Sequence, residues 1–419
     1  MNQTEALLFS ILLQLIVMIL AARLMNTAFR RLGQPGVIGE IIAGLLLGPS
    51  FAGYFFPQAS HVLFGEQAAV PITIISQIGL IFLMFQIGLD FDSSHLKNAR
   101  NLKGVGGIAL MSIGVPFALG FLLGEWSAPM LAPDSDSLAY SLFCGVGLAI
   151  TAMPVLGRIL HQYGLTRTEI GVVAISAAAV NDVVGWLLLA GVSAYASARF
   201  SGAHLALQTC GLLLFLAALY FVLRPLVDRL MARHGGGLSS NLMACVICLM
   251  LALGICTYGL GIFAIFGGFA AGLLFHPHQD FVAAWQQRVG QFVLVFFLPV
   301  FFTYTGLRTN ILGLSSMNDM GWLLLVVAAG ILGKMIPVYL AGRYAGFDRR
   351  QSWALGALMN TRGLMELIVL NIGFDLKVIP QDVFSMLVVM AVVTSAMTGP
   401  ILRVLLPRMG HAVPTGVEA

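Results

Sequence analysis

Five ionisable residues stand inside long apolar runs of this 419-residue chain: Glu40, Asp182, Lys334, Arg362 and Glu366. A charge at the centre of a bilayer costs roughly 2.5–3.5 kcal/mol on insertion scales, so each is a functional candidate by default. Asp182 is the sharpest. It follows Asn181 in Ala177-Ala178-Ala179-Val180-Asn181-Asp182-Val183-Val184-Gly185-Trp186, with no basic residue within a turn or two of its own helix. A carboxylate so placed needs a mobile partner, a cation or a proton. One that holds either, but not both, is the minimal chemistry of exchange. The plainer alternative is a structural hydrogen bond to a neighbouring helix. Thr151, Ser176 and Asn360 can offer neutral oxygens to a dehydrated monovalent ion, although Ser and Thr in membrane helices more often bond their own backbone.

Lys334, in Gly333-Lys334-Met335-Ile336-Pro337, must also be paired. It can face Asp182, cap a broken helix, or bond to Asn181 and backbone carbonyls, and a structural role is favoured over proton carriage. Arg362 and Glu366 are four residues apart, one helical turn, and read as an internal ion pair. Glu40 either lines the cytoplasmic entrance or hydrogen-bonds a neighbouring helix.

The elements that hold these residues follow from composition. Of the residues, 59% are apolar and only 10% are charged, 22 basic and 18 acidic. A soluble domain carries about 25% charge. The chain therefore cannot clothe a water-facing surface, which excludes a soluble enzyme, a nucleic-acid binder and a disordered regulator. The 47 glycines suit closely packed membrane helices. Alternating barrel strands are absent from the pattern. The fold class is an all-α polytopic membrane protein.

About thirteen runs can cross a bilayer, each near 20 residues: 6–28, 36–49, 69–89, 103–124, 138–162, 168–197, 205–228, 239–257, 259–276, 283–307, 321–344, 352–373 and 382–406. The first has no basic flank or cleavage pattern and reads as a retained span. With the N-terminus outside, seventeen basic residues fall inside, among them Arg30, Arg31, Lys97, Arg100, Arg167, Arg229 and Arg350. Three fall outside: Arg199, Arg308 and Lys377. By the positive-inside rule the C-terminus is then cytoplasmic. All five cysteines (Cys144, Cys210, Cys245, Cys248, Cys256) lie in apolar runs and are expected as small buried hydrophobes. The eight histidines are too scattered to form a site.

An internal repeat is visible. The stretch from Gly39 to Pro49 (GEIIAGLLLGP) lies over that from Gly267 to Pro277 (GGFAAGLLFHP) with six of eleven positions identical. Gly88-Leu89 and Gly306-Leu307 give a second echo. The offset of seven spans, an odd number, makes the copies antiparallel. Repeat one covers about 6–197, a connector 205–228, and repeat two about 239–406. Inverted repeats are a mark of secondary transporters, whose site lies at mid-membrane. At corresponding places both repeats interrupt a helix. Pro154 should kink or unwind the chain around Thr151–Met153. Asn360, Thr361, Arg362 and Gly363 mark the second break. Unwound backbone at that depth is tolerated only where protein buries it or water wets it.

Taken together, Gln34-Pro35-Gly36-Val37-Ile38-Gly39-Glu40, the Thr151–Pro154 break, Asn181-Asp182, Lys334 and Met359-Asn360-Thr361-Arg362-Gly363-Leu364-Met365-Glu366-Leu367 resemble the monovalent cation:proton antiporter superfamily. The nearer branch holds sodium–proton exchangers, potassium efflux systems and plant cation/proton exchangers. The likeness covers about residues 5–406. It implies a homodimer of 13-helix protomers, each with a dimerisation domain and a core of two crossed broken helices that slides to carry the site across the membrane. Asp182 matches the family's ion-binding aspartate and Asn181 the residue before it, a pattern like that of electroneutral members. Lys334 matches a basic residue that pairs with a first acid in two-acid members, an acid absent here.

The resemblance implies Na+ or K+ exchanged for H+, no cofactor, no nucleic-acid partner, and a plasma membrane of the bacterial inner-membrane type. The chain is expected to be one membrane domain without a C-terminal regulatory domain, leaving room for a separate regulatory subunit. The rival readings are a channel or uniporter, a sodium-coupled organic-anion symporter kept open by Arg362, and an intramembrane enzyme, for which no nucleophile–base or metal cluster is evident.

Overall fold

A computed structural model of the chain describes residues 3–32, 34, 36–64, 66–89, 102–166, 168–197, 202–234, 238–260 and 263–410. Lys97, Arg100, Arg167 and Arg199, used above for orientation, lie outside the described residues, as do Pro35, His95 and His411.

Every element that positions the site is a helix. In chain order these are α1 (Gln3–Arg31), α2 (Gly36–Leu47), α3 (Glu66–Leu89), α4 (Leu102–Leu131), α5 (Ser137–Ala149), α6 (Met153–Gln162) and α7 (Glu169–Ser197). Then come α8 (Gly202–Ala218), a π turn at Leu219–Leu223, α9 (Arg224–His234), α10 (Ser240–Gly259), α11 (Ile265–Phe275) and α12 (Gln279–Trp285). Two π turns lead into α13 (Leu298–Leu307), followed by α14 (Met317–Tyr344), α15 (Arg349–Met359), α16 (Leu364–Asp375) and α17 (Gln381–Leu405). Among the described residues nine helices are long and apolar enough to cross a membrane. The pair Gln279–Gly290 and Val293–Leu307, bent by 45°, makes a tenth if taken as one span. The α5/α6 and α15/α16 pairs are interrupted and α11 is short, so none of these meets that length by itself.

The helix starts follow local chemistry. Ser316 and Asp319 form a capping box at α14, and Asp348 and Gln351 another at α15. Asp136 caps α5 by accepting from the Ala139 N–H at 2.8 Å.

The chain divides into two compact units. The first comprises Met1–Ile19, His61–Asp92 and Ser193–Tyr304. Here α3 and α11 touch backbone to backbone. A Cβ on Gly272 would lie 2.2 Å from the Phe85 carbonyl oxygen and 2.8 Å from the Gly88 Cα. Rings of Phe85, Phe275, Phe281 and Trp285 fill the space beside that crossing, with centroids 4.7–6.1 Å apart.

The second unit comprises Leu20–Ser60, Ser93–Val192 and Thr305–Ala419. It contains both interrupted pairs and all five ionisable residues of the spans. A Cβ on Gly306 would lie 2.1 Å from the Gly44 carbonyl carbon, so α2 meets the end of α13 at the same closeness. Helix association in lipid has no water to expel, and small residues that bring backbones together supply the contact energy instead.

One expectation needs correcting. Cys144 is buried, but Cys210, Cys245, Cys248 and Cys256 are exposed. Hydropathy cannot separate a helix face turned to lipid from one turned to the protein interior, since both are apolar.

The close approaches give a prediction. Gly306→Ala should destabilise the fold by about 1–3 kcal/mol through forced overpacking. Gly114, with nothing within 4 Å of its hypothetical Cβ, should accept alanine without loss. Thermal unfolding in detergent checks both. Equal midpoints for the two variants would contradict the packing described.

Candidate ion-binding site

The first break falls at residues 150–152, between α5 and α6. Pro154 sits in the first turn of α6 rather than inside a kinked helix, a place where its missing N–H leaves no intrahelical bond unmade. The second break covers 360–363, between α15 and α16. Gly363 there has φ 153°, a value side chains rarely adopt, and a Cβ would meet Val155 Cγ2 at 3.0 Å.

The two breaks are tied to one another. The Ala152 N–H donates to the Thr361 carbonyl at 3.0 Å. The Thr151 hydroxyl donates to the Met359 carbonyl, also at 3.0 Å. Side-chain cations then serve the open end of α5. The Arg362 guanidinium donates to the Gly147 carbonyl at 2.6 Å and the Leu148 carbonyl at 2.7 Å. The Lys334 ammonium, from α14, donates to the Ala149 carbonyl. Three successive carbonyls left without helical partners are thus met by two positive charges, where the helix dipole is negative. Arg362 also pairs with Glu366 at 3.3 Å, both side chains fully buried.

Asp182 lies on α7, 3% exposed. The Met153 N–H, the first of α6, acts on it electrostatically, and its Oδ1 has no hydrogen-bond partner among the described residues. Lys334 lies within electrostatic range of Asp182, Arg362 and Glu366. A buried carboxylate is thereby held at the positive end of a half-helix with one oxygen open.

Asn181 works differently from its neighbour. Its amide nitrogen donates to Thr151 Oγ1 and to Ser112 Oγ, both at 3.0 Å. It is a strut from α4 to the first break. Ser176 is fully buried on α7, but its six-residue offset turns it to another side of that helix than Asp182. Asn360 donates to Met397 Sδ at 3.6 Å, and its side-chain oxygen has no partner among the described residues. Glu40 lies apart from the breaks and accepts from Asn26 Nδ2 at 2.6 Å.

The "Sodium/hydrogen exchanger, transmembrane" family model matches residues 15–408. The chain belongs to this family. It is therefore an integral membrane protein of a transporter family, not of an enzyme family. It is 37% identical over 405 residues to Cation/H(+) antiporter 17 of Arabidopsis thaliana, covering 96% of this chain and 49% of that protein. It thus spans about half the length of the plant relative. Against the Na(+)/H(+) antiporter NhaS4 of Synechocystis it is 36% identical over 409 residues, covering 96% of this chain and 99% of the other. Its fold is similar to that of the sodium proton antiporter MjNhaP1 of Methanocaldococcus jannaschii, with TM-score 0.60 at 16% identity, covering 94% of this chain and 96% of the other. The α-helical fold is of that antiporter type.

Sequence reading misses Ser112, whose hydroxyl holds Asn181, and Ser395 on α17, which bonds the backbone of Arg362. Single serines in apolar helices carry no signal that separates them from ordinary backbone-bonded ones.

Arg362→Gln should cost about 3–5 kcal/mol, because it strands Glu366 as an uncompensated buried charge and frees two carbonyls. Adding Glu366→Gln should recover part of that loss. Equilibrium unfolding in mixed detergent–SDS micelles measures both variants. No recovery in the double variant would remove the ion pair from the account.

Proposed function

We propose that the chain is a secondary antiporter that exchanges a monovalent cation, Na+ or K+, for a proton, with Asp182 holding one or the other in turn. The observation that carries this reading is the open oxygen of a deeply buried carboxylate beside two unwound backbones. An anion there demands a counter-charge that can come and go. One carboxylate with one open oxygen takes either a cation or a proton, so loading one displaces the other. Thr151 keeps one acceptor position free after its two hydrogen bonds, and Asn360 offers a further neutral oxygen. Lys334, Arg362 and Glu366 hold the half-helices in place around the site.

Thirteen spans suit the helices described. Besides the nine long ones they are the bent α12–α13 pair, the interrupted α5/α6 and α15/α16 pairs, and α11. Inverted repeats are supported by a reciprocal pattern. Gly44 corresponds in the repeat to Gly272, and Gly88 to Gly306. The close contacts run Gly44 to Gly306 and Gly272 to Gly88, each pairing a position of one repeat with the other position of its counterpart.

In this reading the unit that holds Asp182 moves as a body between the two faces of the membrane, an elevator cycle. The other unit stays fixed as the scaffold of a homodimer. Its outward apolar side chains, such as Leu214 and Ile255, suit lipid or a second copy. The excess of basic residues on one side puts the N-terminus outside and the C-terminus in the cytoplasm. The location is a plasma membrane of the bacterial inner-membrane type. A sodium-coupled organic-anion symporter is disfavoured because the Arg362 guanidinium is already spent on two carbonyls and Glu366.

Proteoliposomes with an imposed pH gradient and an internal pH dye test the reading. Added NaCl or KCl should dissipate the gradient, and Asp182→Asn should abolish the response. Cation movement with no proton counterflow would instead assign a channel or uniporter. Lys334→Ala should lower the folded yield yet leave measurable exchange. Complete loss of exchange in well-folded Lys334→Ala protein would make the ammonium part of the transport chemistry.

A further inference from the structure

The second break leaves Arg362 with a backbone N–H and C=O that no helix serves. Both are taken by one side chain. Ser395 Oγ, on α17 and 2% exposed, accepts from the Arg362 N–H at 3.0 Å and donates to the Arg362 carbonyl at 2.7 Å. A single hydroxyl thus replaces both main-chain bonds that the break removes. The residue it fixes is the one whose guanidinium reaches Gly147 and Leu148 at the end of α5 and pairs with Glu366. A neighbouring contact on α17 serves the same stretch: the Thr398 hydroxyl donates to the Ala357 carbonyl at 3.1 Å, just before the break.

We infer that Ser395 is a positioning residue for cation binding. It fixes the backbone of Arg362, so that the guanidinium braces the end of α5 and sets the distance between the two breaks beside Asp182. The inference rests on the exchange function proposed above. Ser395 itself touches neither the cation nor the open oxygen of Asp182. Its loss strands two buried backbone groups and lets residues 360–363 relax. The charge at 362 then moves relative to the site.

The test uses full-length protein carrying Ser395→Ala and Ser395→Cys, the latter close in size but a weak hydrogen-bonding group. Two measurements are made on each. One is amide hydrogen exchange across residues 359–364 in detergent. The other is the apparent KM for Na+ and for K+ in proteoliposomes. The expected result is faster amide exchange in that stretch and an apparent KM raised roughly tenfold in the alanine variant, which corresponds to about 1.4 kcal/mol of the cost of the two stranded groups appearing in cation binding. The cysteine variant should fall between, and it supplies the comparison if the alanine variant does not fold. An unchanged KM with a reduced maximal rate alone would mean only that less protein folds, and would overturn the positioning role. Wild-type amide exchange in both variants would overturn the clamp itself. If the unaltered protein exchanges no cation for protons, the functional reading fails, while the amide measurement still decides whether Ser395 holds the break.

Discussion

Helix ends buried at membrane depth are the constraint from which the second unit is built. Each interruption opens carbonyls on one side and N–H groups on the other, and hydrocarbon satisfies neither. Residues of the other helices meet them instead. Arg362 and Lys334 take three carbonyls at the end of α5. The Thr361 carbonyl takes the Ala152 N–H, and the Asp182 carboxylate interacts electrostatically with the Met153 N–H. The charges that look most expensive in the sequence are therefore the ones that make two broken helices affordable. Glu366, in the first turn of α16, answers both Arg362 and the positive end of its own half-helix.

This arrangement explains why the ionisable residues divide as they do. Lys334, Arg362 and Glu366 have partners fixed by the backbone geometry, and moving any one of them uncovers a buried polar group. Asp182 differs because no ion pair reaches it among the described residues, whereas Glu366, which also leaves one oxygen (Oε2) without a hydrogen bond, is paired with Arg362 through the other. The exchange proposed above uses that difference: a buried carboxylate with an oxygen to which no described residue is bonded.

Much of this was legible in the sequence, for a physical reason. Charge is so scarce in a membrane chain that each ionisable residue in a span stands out, and Pro154 and Gly363 punctuate helices wherever they occur. The two breaks and the Arg362–Glu366 pair follow from those signals. Direction is what a linear pattern lacks. It does not say that Lys334 reaches back to Ala149, nor that Asn181 points toward Ser112 while Asp182 points toward Met153. It is equally silent about which face of an apolar helix meets lipid, and so four cysteines expected inside are found outside. The serines at 112 and 395 are invisible for a related reason. A hydroxyl acquires its role from the unpaired backbone group it happens to face, and that group belongs to a distant segment.

Asn181 illustrates how closely the chemistry of neighbouring positions is set by these partners. Its amide nitrogen has two hydrogens, and both are used, on Ser112 and Thr151. The Thr151 hydroxyl has already given its own proton to the Met359 carbonyl, so what reaches it from α7 has to be a donor. A carboxylate has none to give. It would face the Thr151 oxygen lone pair with its own, uncouple α4 and α7 from the first break, and place a second negative charge beside Asp182. The amide at 181 therefore does two things at once: it closes the hydrogen-bond chain that fixes the break, and it leaves Asp182 as the one acid of the pair. In the proposed exchange a single acid at this position accommodates one cation or one proton, and the strut that holds the break is the same group that keeps the number of acids at one.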